Sequence, residues 1–306
     1  MDIISIGEVL WDVIDGEEHL GGAPFNFAAH AARLGHQVRF ISAVGNDERG
    51  KRTLAAISRL GLFTGMVRRV DGQPTGTVAV SLDRARQPRF NIPRPAAYDF
   101  PELTGEQLED IRLRPPDWVY FGTLQQTSRQ ARETAIRVLE AAPSAGRFYD
   151  VNLRAGCYTE ALVRELLSSA SVVKLNLEEA MVVGEMLERR PDSLEGFCRT
   201  NARRFGWQAV AITRGADGCV LLVGDRYVEA GGYRVVIADA VGAGDAFAAA
   251  FIHALNAGWP PGRIADFCNR VGALVASREG AVPAWDVGEC EDTVVSCGTG
   301  EAGRRG

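Results

Sequence analysis

The chain has 306 residues, 46% of them hydrophobic and 24% charged, with a formal charge of −5 and a pI near 5.5. That is the composition of a globular protein able to bury a sizeable core, and no long basic run offsets the acidic balance, which argues against general nucleic-acid binding. No apolar run reaches membrane-spanning length, and Met1-Asp2-Ile3-Ile4-Ser5-Ile6 enters a strand without a signal peptide's charged and apolar regions, so a cytoplasmic protein with no membrane partner is expected.

From the N-terminus, short apolar runs at 3–6, 38–44, 118–121, 148–151, 172–175 and 209–213 read as strands. Helix-length segments fall between them near 26–34, 50–60, 129–141, 159–169, 178–188 and 194–205. This alternation predicts an α/β fold with a mostly parallel central sheet covered by helices on both faces. Ligands in such folds gather beyond the carboxyl ends of the strands. The stretch 65–93 breaks the pattern, because 77–82 and 89–92 alternate like strands and no helix intervenes. Together with 9–20 it predicts a small antiparallel sheet, either a lid or an edge extension of the core. From Asp286 the chain turns Gly-, Glu- and Thr-rich, so 1–285 is expected to form one domain and 286–306 a loose tail. The six cysteines (157, 198, 219, 268, 290, 297) lack Cys-x-x-Cys spacing and read as free thiols.

Gly45-Asn46-Asp47-Glu48-Arg49-Gly50-Lys51-Arg52 nearly spells a P-loop, but Arg52 stands where a Ser or Thr would bind magnesium. Asp47 and Glu48 would also place two negative charges in a phosphate cradle. The segment is better read as the cap of a helix starting near Gly50.

Asp239-Ala240-Val241-Gly242-Ala243-Gly244-Asp245 carries more. A strand-like run at 233–238 precedes it, and an apolar helix pattern at 246–257 follows, stopped by Gly258 and Pro260. The small residues Gly242, Ala243 and Gly244 let a ligand approach amides at a helix N-terminus, where free donors and the helix dipole favour an anion. Asp245, in the first turn, would sit beside that anion and could take a proton from an attacking hydroxyl. Two other readings stay open on these residues alone. One is a dinucleotide fingerprint with Asp266 as its ribose-binding acid, opposed by Phe247 where Gly or Ala is required. The other is a Gly-rich turn capped by Asp.

Several motifs together resemble the ribokinase (PfkB) carbohydrate kinase family. Gly21-Gly22-Ala23-Pro24-Phe25-Asn26-Phe27-Ala28, then Leu34-Gly35 and Val44-Gly45-x-Asp47-x-x-Gly50, is similar to its N-terminal signature, and 239–245 to its C-terminal one. Asp150-x-Asn152-x-Arg154, Asn176-x-x-Glu179 and Thr213-Arg214-Gly215-x-x-Gly218 lie between them in the family's order. The resemblance runs from about residue 3 to Pro283. It implies a ribokinase-like fold and transfer of phosphate from ATP to a sugar hydroxyl, with Asp245 as general base and the amides of Gly242, Ala243 and Gly244 as anion hole. It implies further that Asp12, Gly22 and Asn26 hold the sugar, with Arg154 near the phosphates. Thr213, Gly215, Gly218, Asn269 and Ala273 would line the nucleotide site. Asn176 and Glu179 would serve Mg2+ through water, and Asp239 and the Val241 carbonyl would belong to a K+ site, the need for K+ being left open.

Two departures stand out: Ala240 replaces a hydroxyl residue, and Cys157-Tyr158 follow Arg154 where close relatives often differ. The motifs resemble fructokinases more than ribokinases or adenosine kinases. A 2-keto-3-deoxygluconate kinase is the alternative, with Arg89 or Arg94 for the substrate carboxylate; for a nucleoside kinase, Phe90 is the one stacking candidate. A sugar-binding protein without catalysis is the rival from another class. Exposed strands of the small sheet would allow a homodimer.

Overall fold

The computed structural model describes residues 1–14, 16–82, 88–187 and 192–292, apart from the side chains at 80–82, 88–90 and 291–292. In chain order, β1 (Asp2–Ile6) is followed by the hairpin β2 (Leu10–Ile14) and β3 (Glu17–Gly21), then α1 (Ala23–Arg33), β4 (Gln37–Gly45), α2 (Glu48–Arg59), β5 (Val67–Val70), β6 (Gly76–Leu82) and β7 (Pro88–Asn91). Next come α3 (Gly105–Leu113), β8 (Trp118–Gly122), α4 (Arg129–Ala141), β9 (Gly146–Asp150), α5 (Glu160–Ser169), β10 (Val172–Asn176), α6 (Leu177–Met186) and α7 (Leu194–Phe205). Then follow β11 (Ala209–Thr213), β12 (Cys219–Val223), β13 (Arg226–Ala230), α8 (Ala243–Asn256), α9 (Pro261–Ala276) and α10 (Val287–Asp292).

Nine strands form one sheet in the order β13-β12-β11-β10-β9-β8-β1-β4-β5. All its neighbours are parallel except β11–β12 and β12–β13. The chain leaves β1 toward β4 on one side and returns to β8 on the other, so the strand order reverses around β1. A crevice therefore opens above its carboxyl end. Because side chains alternate along a strand, Ile3, Phe148, Val172 and Ala209 pack under α1, α8 and α9, while Ile4, Tyr149, Val173 and Val210 pack under helices of the α3–α7 stretch. The strands read as continuous apolar runs because both faces are covered.

The second sheet has the order β3-β2-β6-β7. It is mixed rather than wholly antiparallel: β2 and β6 run parallel, since the long excursion through α1, β4, α2 and β5 separates them. Within the predicted 65–93 segment, β5 belongs to the large sheet instead. The strand expected at 233–238 is absent. Pairing stops at Ala230 before Gly231-Gly232, and Val236 and Ile237 are exposed in irregular chain. The stretch read as tail begins with α10, whose Cys290 is buried in the core with Trp285; residues 293–306, including Cys297, lie outside the described residues.

The loop that imitates a P-loop is a helix cap. Asp47 accepts from Gly50 N at 2.7 Å and from the Thr75 amide and hydroxyl at 2.8 and 2.7 Å. Burial pushes its carboxyl up, but the Thr75 and Gly50 donors outweigh that and hold it below the usual range. Replacing Asp47 with Ala should cost about 2 kcal/mol at pH 7, read from urea unfolding. A carboxylate stabilised in this way helps above its unfolded titration and loses that help as pH falls, so the difference should shrink below about pH 4.

Candidate active site

A cavity of about 710 Å3 opens above the carboxyl ends of β1, β9, β10 and β11, with the small sheet as one wall and the start of α8 opposite. Gly242 precedes α8 with φ +82°, and a Cβ there would lie 2.1 Å from the Ala281 oxygen, so only glycine fits. Ala243 N–H reaches back to Ala240 O at 3.4 Å and Asp245 N–H donates to Gly242 O at 3.1 Å. The Gly244 amide has no acceptor among the described residues and lies at the cavity. Within the 242–244 run only Ala243 N–H is engaged, the Gly242 amide likewise having no acceptor among the described residues.

Asp245 lines the cavity and accepts from Asn26 Nδ2 at 2.8 Å. Burial, reinforced by Asp150, pushes its carboxyl up to about 7; Lys174, Asn26 and Arg154 pull the other way. A carboxylate so placed is a proton acceptor matched to neutral pH. The Oδ1 atom of Asn26 is buried without a partner among the described residues. Asp12, on β2, faces the same space. Burial raises it, Arg154 and His19 lower it, and Asp239 raises it again.

Three groups that sequence reasoning gave no role complete the site. Lys174 Nζ donates to both oxygens of Asp150 at 2.9 and 3.0 Å, with side chains 8% and 1% exposed. A Cβ on Gly244 would come within 3.7 Å of that ammonium, which therefore sits beside the start of α8. Burial pulls Lys174 down, but Asp150, Glu179 and Asp245 outweigh it and keep it charged. Tyr120 donates to Oδ2 of Asp150 at 3.0 Å and, through burial and its acidic neighbours, stays protonated far above its ordinary range. The signal for Lys174 was a lone charge inside Val172-Val173-Lys174-Leu175; Asp150 was visible only as part of a motif. The third is Glu8, buried just past β1.

Arg154 is exposed at the cavity and makes no ion pair among the described residues. Asn176 and Glu179 line it too, joined in a capping box: Asn176 accepts from Glu179 N, while Glu179 accepts from Asn176 N at 2.8 Å and Leu153 N at 2.9 Å. Among the described residues no cluster of three or more His, Cys, Asp or Glu side chains could hold a metal ion. Asp239 accepts from Val241 N at 2.9 Å and Gly280 N at 3.2 Å, tying the loop before α8 to the 280–281 turn. His30, from α1, secures that turn. Its Nδ1 accepts from the Trp285 indole at 3.1 Å, so its Nε2 carries the proton and donates to Ala281 O at 3.0 Å; burial holds it down to about 4, neutral at working pH.

Gly22 and Thr213 also line the cavity; Gly215, Gly218, Asn269 and Ala273 do not. Gly218 has φ +86° and packs against Ala230-Gly231-Gly232, and Asn269 donates to Gly231 O at 3.0 Å. They shape the β11–β12 turn and the start of the 231–241 loop, beside the cavity. Arg94 is already held by Asp99, Leu124 O and Thr127, which leaves it no free fork for a substrate carboxylate. The side chains of Arg89 and Phe90 lie outside the described residues.

A model of the pfkB family carbohydrate kinases matches residues 3–287. An uncharacterized sugar kinase of Pyrococcus horikoshii is 30% identical over 302 residues, 91% of each chain. Its structure in complex with ATP superposes with a TM-score of 0.80 over 94% of this chain and 96% of that one, at 28% identity. A fructokinase of Klebsiella pneumoniae is 28% identical over 307 residues, 91% of this chain and 94% of that one. The fructokinase of Xylella fastidiosa with bound ATP has the same fold, with a TM-score of 0.84 at 24% identity over 95% of this chain and 97% of that one.

Proposed function

This chain belongs to the pfkB family of carbohydrate kinases, and within it we propose an ATP-dependent sugar kinase that converts fructose to fructose 6-phosphate. The observation that carries the reading is Asp245 at the start of α8, tuned to about 7 and held by Asn26, with the free Gly244 amide and the Lys174 ammonium at the same helix end. The ATP complex of the Pyrococcus horikoshii relative and the fructokinases among the relatives support the donor and the acceptor.

Asp12, Gly22 and Asn26 would bind the sugar, and the unpaired Asn26 Oδ1 offers it an acceptor. Asp245 would take the proton of the attacking hydroxyl as its oxygen bonds to the γ-phosphorus and the bond to ADP breaks. Gly244 N–H, Lys174 and Arg154 would meet the charge on the moving phosphoryl group. Thr213 would reach the nucleotide phosphates, with Gly215, Gly218, Asn269 and Ala273 shaping the adjoining nucleotide surface. Mg2+ would ride on the ATP phosphates and neutralise their charge. Both oxygens of Glu179 are engaged by amides, so it and Asn176 fit a water-mediated contact. Asp239 is likewise engaged by amides, so K+ would depend on carbonyls such as that of Val241. The small sheet, which brings Asp12 to the cavity, would act as a lid over the sugar.

The test is ADP release with ATP and Mg2+ against fructose, ribose, 2-keto-3-deoxygluconate and adenosine. We expect kcat/KM for fructose to exceed the others at least tenfold. Preference for another acceptor would keep the kinase and replace the sugar; ATP binding without turnover on any acceptor would favour a binding protein.

A further inference from the structure

Glu8 is 4% exposed, lines the cavity, and its Oε2 has no hydrogen-bond partner among the described residues. Buried polar atoms in folded proteins are almost always paired, and an unpaired one on a residue that lines a ligand cavity marks a contact that the ligand supplies. The backbone around it is fixed. Gly7 N–H donates to Ile41 O at 3.2 Å, the Ser42 hydroxyl donates to Gly7 O at 2.7 Å, and a Cβ on Gly22 would lie 2.6 Å from Glu8 O. Glu8 is therefore held against the glycine that opens the proposed sugar wall. Burial pushes its carboxyl up, opposed by backbone amides and by two cations, Arg154, exposed at the cavity, and Arg94, paired with Asp99; Lys174, which lines the same cavity, is paired with Asp150.

We infer that Glu8 determines acceptor specificity: its free Oε2 accepts a hydroxyl of the bound sugar, and its charge, with Asp12 lining the same cavity, disfavours acceptors that carry a carboxylate. This rests on the sugar-kinase reading and deepens it, since an uncharged polyhydroxy compound satisfies the open oxygen whereas an acid sets a second anion beside it.

The experiment compares the full-length wild type with Glu8→Gln and Glu8→Ala, using fructose and the sugar acid 2-keto-3-deoxygluconate, the acid being read as substrate or, without turnover, as competitive inhibitor. Glu8→Gln, nearly isosteric, should shift the discrimination between fructose and the acid toward the acid by about tenfold or more. Glu8→Ala should lower kcat/KM for fructose about 100-fold with the KM for ATP within about twofold of wild type. A loss shared equally by both acceptors, or followed by the KM for ATP, would mean that Glu8 only supports the fold and would overturn the inference. Where Glu8→Ala fails to fold, Glu8→Gln decides alone. A wild type that prefers another neutral sugar would end the fructose reading, and Glu8 would be judged by the same ratio with that sugar. A wild type that prefers the acid would overturn both.

Discussion

Asp245→Asn is expected to lower kcat by about 10³-fold while leaving the affinities for ATP and sugar within a few-fold of wild type. The asparagine keeps the shape of the site, and its side-chain oxygen can still accept from Asn26 Nδ2, the contact now made at 2.8 Å. What disappears is a group able to hold the proton of the attacking hydroxyl. In the wild type, kcat/KM should rise with pH through about 7, because the base must be ionised to act and its carboxyl sits at about that value. The same shift has an opposite consequence for stability. The folded protein binds the Asp245 proton more tightly than the unfolded chain, so this group lowers stability as pH rises from about 4 to 7. Asp245→Asn should therefore unfold at higher urea than wild type at pH 8, with the advantage gone below about pH 4. An active variant would remove Asp245 as the base, and a variant less stable at pH 8 would show that its carboxyl is not held up by burial.

The parallel strands were legible because burial on both faces makes them plain apolar runs, as in 172–175 and 209–213, and the turn at 242–245 was legible because glycine and a carboxylate are costly there without a purpose. What escaped depends on distance in sequence. Lys174 and Asp150 are 24 residues apart and meet only because β9 and β10 are neighbours in register, and Glu8 gains meaning only when Gly22 closes over it. The expected strand at 233–238 failed for a complementary reason: an apolar run forms a strand only where an edge can pair with it, and the chain leaves β12 at Gly231. Gly218 shows how one motif position can mislead. Its positive φ and the backbone packed on it demand glycine for the turn, whatever nucleotide lies nearby.

Lys174→Met should cost about 3–5 kcal/mol in urea unfolding, because it strands the Asp150 carboxylate in the interior with, among the described residues, only the Tyr120 hydroxyl to satisfy it. Methionine fills a similar volume, so packing loss contributes little. Adding Asp150→Asn should recover much of the stability, since removing both charges of a buried pair costs far less than removing one. Activity should not return with it. Lys174 is the ammonium beside the start of α8 and lowers the proton affinity of Asp245, so its loss alone should move the acid limb of kcat/KM upward, whereas the double variant, which also lacks the larger raising charge of Asp150, should bring that limb back down. Stability and rate thus respond differently to the second substitution. Recovery of both would make Lys174 a purely structural ion-pair partner; recovery of stability alone would place its charge in the reaction, next to the amide and the base that the first turn of α8 provides.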